Sequence, residues 1–247
     1  MADWNDTSRN AQRMGSVPRA GGDVAGRASY DEGLRKHMLS IYNYMTSGIL
    51  LTGIVALLAF TSGVAETIFT GGILRWIVAL SPMAIVFAMS FGANRFSTGT
   101  LQLMFWGFAT LMGLSLSSIF LVYTGGSIAT TFFATAAAFA GLSLFGYTTK
   151  KSLSGMGSFL IMGLVGLIVA MVINLFLQSP AFHYAISFIG VLIFAGLTAY
   201  DTQRLKNEYN YLRGTEFAGK AVILGALSLY LDFINMFQFL LSFLGNR

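Results

Sequence analysis

Seven apolar stretches, each close to the ~20 residues that cross a ~30 Å hydrocarbon core, succeed one another behind a polar amino-terminal segment. By length and hydropathy they fall at about 39–61, 72–93, 100–122, 127–147, 157–178, 183–204 and 220–244. The links are short, which predicts antiparallel neighbours in one all-α membrane bundle spanning residues 38–247. Residues 1–37 mix Arg, Asp, Asn, Ser and Gly with almost no aliphatic run and read as a disordered tail, because they cannot bury enough apolar area to order themselves. They carry neither the short apolar core nor the small-residue cleavage site of a secretory signal.

Two acids break the apolar pattern: Asp201 at the end of the sixth stretch and Asp232 in the middle of the seventh. An ionised side chain near the bilayer centre costs roughly 3 kcal/mol or more, so such groups face a protein interior or a wet path and have a partner. If the chain turns near Arg213–Glu216, both acids lie about 15 residues, or ~22 Å of helical rise, from the turn and meet at similar depth. That requires the sixth helix to continue through Thr202–Glu208, a polar extension tolerated only in a wet vestibule or outside the membrane.

On the last stretch Ser228, Asp232, Asn235, Gln238 and Ser242 follow steps of four, three, three and four, one polar stripe on a helix. Ser187, Thr198 and Asp201 form a thinner stripe on the sixth. The hydroxyl and amide members fit either a path or a polar zipper, whose bonds contribute roughly 0.6 to 2 kcal/mol each; a midspan carboxyl such as Asp232 points to function. Two carboxyls within a few ångströms cannot both ionise cheaply, so the pair is expected to titrate in two coupled steps and suits a proton sensor. Arg95 is the leading counter-charge, set against its reading as an ordinary topology marker; Arg204 is nearer in sequence but is expected to snorkel to the interface. His183 reads as an interfacial residue, and Asn174 as a helix–helix hydrogen-bonding group. Gly48 with Thr52, Ala137 with Gly141, and Gly163 with Gly166 read as sites of close helix packing.

Composition sharpens this picture. The chain is 55% hydrophobic and 10% charged, where soluble domains carry about 25% charged residues, so it is an integral membrane protein. Its pI of about 9.6 does not indicate a nucleic-acid partner, because the cations sit in the tail and short links instead of on one folded face. With the tail in the cytoplasm, all of the 15 Lys and Arg residues except Arg75 and Arg247 lie inside, as the positive-inside rule expects. The absence of cysteine excludes disulfides and thiolate chemistry. With no H-E-x-x-H or G-x-S-x-G motif, and His37 and His183 at opposite ends of the bundle, no enzyme and no cofactor are expected. An intramembrane aspartyl protease would use paired acids too, but the glycine-flanked acid of such proteases is missing.

At Ala199-Tyr200-Asp201-Thr202-Gln203, and along Ala226-Leu227-Ser228-Leu229-Tyr230-Leu231-Asp232-Phe233-Ile234-Asn235, the sequence resembles the Bax inhibitor family, also called transmembrane Bax inhibitor motif proteins, in its bacterial form. The resemblance covers everything except the tail. It implies a seven-helix bundle with the last helix central, in the bacterial inner membrane, and a calcium leak governed by pH. Asp201 and Asp232 then match the family's proton-sensing acids, and Arg95 lies within a few positions of its second-span arginine. Some relatives carry an acid in the second span, where this chain has Leu80-Ser81-Pro82-Met83-Ala84. Calcium takes ~6 to 8 oxygens, so the two acids with Ser228, Asn235 and water make an incomplete, weak site, as conduction requires. The alternative function is a non-conducting regulator that binds a membrane protease or another integral partner through its tail and helices.

Overall fold

The computed structural model describes residues 20–246, with side chains from Tyr30 onward. Helix α1 runs over Ala20–Thr61, followed by α2 (Val64–Thr70), α3 (Leu74–Gly92), α4 (Thr98–Leu116), α5 (Ile119–Val122), α6 (Gly125–Thr148), α7 (Ser154–Leu177), α8 (Pro180–Leu212) and α9 (Ala218–Leu244). No strand occurs among the described residues. Of the tail expected to be disordered, residues 1–19 lie outside the described residues, and from Ala20 the chain is helical. Composition misses such an extension because lengthening an existing helix needs no new nucleus.

Seven helical segments are long and apolar enough to cross a membrane, and they coincide with the seven stretches expected from hydropathy; the third runs unbroken in this sense from Thr98 to Val122. Local chemistry sets several boundaries. The Ser97 hydroxyl accepts from the Thr100 amide at 3.1 Å, and Ser179 accepts from Phe182 at 3.3 Å with Pro180 in the first turn, both ordinary N-terminal caps. Inside α3, Pro82 cannot donate to the carbonyl of Val78, and the hydroxyl of neighbouring Ser81 donates to that carbonyl at 3.0 Å. A carbonyl that lipid would leave unsatisfied is thereby bonded.

The last helix is the innermost. In α9, 61% of the most apolar window is buried, against 11 to 33% in the other six spans. It packs on α8, α6 and α4. Close approach is set by small residues: a side chain on Gly146 of α6 would collide with the Ala199 carbonyl of α8, and one on Gly113 of α4 would sit 2.8 Å from the Thr52 carbonyl oxygen of α1. Of the glycines expected at interfaces, Gly48 lies against the Phe105 ring and Gly163 against Ile193, whereas Gly141 and Gly166 face open space. Glycine spacing reports that a helix can be approached, not which of its faces is.

Candidate functional site

The polar end of α8, which lipid would reject, is used to tie down the link between α6 and α7. The Gln203 side chain donates to the Lys151 carbonyl and accepts from the Leu153 amide, both at 2.8 Å. Lys206 donates to the Tyr147 carbonyl at 2.7 Å, placing a cation at the C-terminal end of α6 where the helix dipole favours it. One turn earlier, the Thr202 hydroxyl bonds Ser143 at 2.8 Å, and Ser143 bonds Tyr42 at 2.9 Å. These bonds hold α8 helical past the apolar run and fix the depth of Asp201.

Asp201 is 5% exposed and joined directly to α9: Ser228 donates its hydroxyl proton to Asp201 Oδ2. Arg204 Nη2 donates to the same oxygen at 3.3 Å and to Ser228 Oγ at 3.1 Å. Serine thus donates to the acid and accepts from the guanidinium, a closed set of three. Arg204 Nε lies 3.4 Å from Glu208 Oε1 without a hydrogen bond, a contact of charge alone. The counter-charge of the acids is therefore Arg204, not Arg95, which is exposed in the link between α3 and α4. The Arg204 side chain is 38% exposed, and its guanidinium turns to the carboxylate one turn away on the same helix, so partial exposure and pairing with Asp201 occur together.

Asp232 lies one turn beyond Ser228, equally 5% exposed. Its Oδ2 has no hydrogen-bond partner among the described residues. Both acids, with Arg204, Ser228 and Asn235, line a cavity of about 790 Å³ between α7, α8 and α9. Asn235 donates to the Leu231 carbonyl of its own helix at 2.8 Å while still facing that cavity. The polar stripe expected on α9 is real over its whole length, since Gln238 and Ser242 also line the cavity. Its members differ in role: Ser228 bonds an acid, while Ser242 bonds His183 Nε2 at 2.6 Å at the far end. Thr198 turns back to the Phe194 carbonyl, and Asn174 accepts from the Ser179 amide, so neither joins the cluster of acids.

Sequence reasoning missed two features. Glu208 completes an Asp201–Arg204–Glu208 series at steps of three and four, a spacing legible in the chain. Tyr230, wholly buried on α9, donates to Thr52 Oγ1 at 2.6 Å, and Thr52 passes its own proton to the Ala109 carbonyl at 2.8 Å. No local signal marks that second network, whose partners lie 178 residues apart. Among the described residues, no group of three or more His, Cys, Asp or Glu side chains is suited to hold a metal ion.

Fold and site define a seven-helix membrane protein with a cavity beside its innermost helix and two acids against one guanidinium at one end. The family model described as "Inhibitor of apoptosis-promoting Bax1" matches residues 34–247, and this chain belongs to the Bax inhibitor family. It is 47% identical to an uncharacterised protein of Caulobacter vibrioides, over 98% of this chain and 99% of that one. It is 45% identical to the inner membrane protein YbhL of Escherichia coli, over 95% of this chain and all of that one. A protein of Borreliella burgdorferi is 39% identical over 86% of this chain and 92% of its own length.

Proposed function

We propose that this protein is a pH-sensitive calcium leak of the bacterial inner membrane, with its amino terminus in the cytoplasm, in which Asp201 and Asp232 form the proton-controlled part of the path. The observation that carries this reading is the Asp232 carboxyl, buried beside a cavity with one oxygen unbonded. Arg204 balances Asp201, so a passing cation meets about one net negative charge and a few neutral oxygens. Calcium prefers ~6 to 8 oxygens, and so few hold it weakly enough to let it leave. Protonating the pair removes the attracting charge, and flux falls as the solution becomes acidic. The membrane assignment rests on the seven apolar helices and on the inner-membrane description of the YbhL relative.

The test is calcium flux into liposomes holding the purified protein, from mildly acidic to mildly alkaline pH, beside Asp201→Asn and Asp232→Asn. A leak that falls with acid and loses that dependence in both variants supports the assignment. Flux no greater than that of empty liposomes, or full pH dependence retained in Asp232→Asn, overturns it.

A further inference from the structure

The wall opposite the acids is as informative as the acids themselves. Along α7, Ile161, Leu164, Ile168, Met171 and Leu175 line the cavity at steps of three, four, three and four, one continuous apolar face. The polar stripe of α9, from Ser228 to Ser242, lines the other side with the same periodicity over the same number of residues. Each stripe extends about 21 Å. The two long walls are therefore unlike: that of α7 is hydrocarbon except for Asn174 near its end, whose side-chain oxygen accepts from the Ser179 amide, and that of α9 carries the polar stripe with Leu231 and Phe239 beside it. Helices α3 and α7 both contribute to the wall but pack chiefly on α4 and α8, without extensive contact between them.

Charge is confined to one end. Asp201 and Asp232 stand there against Arg204, and 18 residues away along α8, roughly 27 Å, the cavity ends at His183. Arg204 and Ser228 both bond Asp201, whereas Asp232 Oδ2 is bonded to nothing among the described residues. The acids alone would serve a cation of any kind, but the long apolar wall beside them gives a second contact that only a cation carrying a hydrocarbon chain can use.

We propose that the cavity binds a cationic amphiphile, a primary amine on an alkyl chain, whose ammonium group bonds Asp232 and whose chain lies along the apolar face of α7. Ammonium supplies three donors and one charge, which matches one unbalanced carboxylate with a free oxygen. The amphiphile enters from the bilayer, where it already resides, between α3 and α7. This goes beyond the leak reading and does not depend on it, since binding requires no conduction.

The experiment is equilibrium binding of radiolabelled dodecylamine to the full chain in neutral-phospholipid nanodiscs, with binding to empty nanodiscs subtracted. Wild type is expected to bind one equivalent saturably, without competition from dodecanol or dodecanoate, which share the chain but not the cation, or from butylamine, which shares only the cation. Asp232→Asn should bind on the order of tenfold more weakly, the worth of one charged hydrogen bond. Should that variant fail to fold, Ile168→Trp decides instead, because it fills the cavity from a half-exposed position and leaves the acids alone. Val172→Trp, exposed on the same helix but outside the cavity, should bind as wild type. Equal competition by dodecanol or butylamine, unchanged affinity in Asp232→Asn, or equal loss in both tryptophan variants overturns the proposal.

Discussion

Arg204 and Asp201 form a 3.3 Å ion pair one helical turn apart, and the guanidinium reaches across to Ser228 on the innermost helix. The pair does two things at once. It joins α8 to α9 through a hydroxyl, and it cancels one of two acid charges beside the cavity, leaving Asp232 as the unbalanced one.

Removing that cation should therefore raise cation occupancy. Arg204→Gln keeps a hydrogen-bond donor near Ser228 and frees the Asp201 charge. In the liposome assay its calcium flux should exceed that of wild type near neutral pH, and its thermal stability should drop by only about 1 kcal/mol, because the guanidinium is 38% exposed and Asp201 keeps its bond from Ser228. A flux below wild type would mean that Arg204 attracts or positions the path instead of balancing it.

Thr52 and Tyr230 supply a stability test far from the acids. Tyr230→Phe removes the donor but leaves Thr52 bonded to Ala109, so it should cost about 1 kcal/mol. Thr52→Val strands the wholly buried phenol, while the Ala109 carbonyl keeps its place in the α4 helical ladder, and should cost about 2 kcal/mol. Thermal melting of the two variants in detergent checks the order; equal losses would mean the phenol finds another partner.

Two glycines of α6 separate close packing from mere glycine. Gly146→Ala places a methyl on the Ala199 backbone and should destabilise by about 1 to 3 kcal/mol. Gly141→Ala meets nothing within 4 Å and should leave the melting temperature unchanged or slightly raised.

Gln203 holds the α6–α7 link through two backbone bonds, so Gln203→Leu should loosen that link without touching the acids. Trypsin cleavage after Lys150 or Lys151 in vesicles exposing this face should speed up markedly, while calcium flux at neutral pH stays near that of wild type. An unchanged cleavage rate would show that the link is held by other contacts.

Hydropathy and periodicity alone determined that the chain has seven apolar helices, where most of them begin and end, though not the polar extensions before the first and after the sixth, and that the last carries a polar stripe broken by an acid. These are properties of single helices in a low-dielectric solvent, and a sequence states them directly because each depends only on neighbours along the chain. The family match through Asp201 and Asp232 was legible for the same reason, being written in contiguous residues. Tertiary structure alone decided which cation faces the acids, which glycines are approached, and that Thr52 meets Tyr230 across the bundle. The sequence favoured Arg95 as the counter-charge over Arg204, although Arg204 lies nearer to Asp201 along the chain. Only packing places the guanidinium of Arg204 between Asp201 and Ser228 and leaves Arg95 exposed, because the choice depends on how α8 lies against α9 and not on either helix by itself.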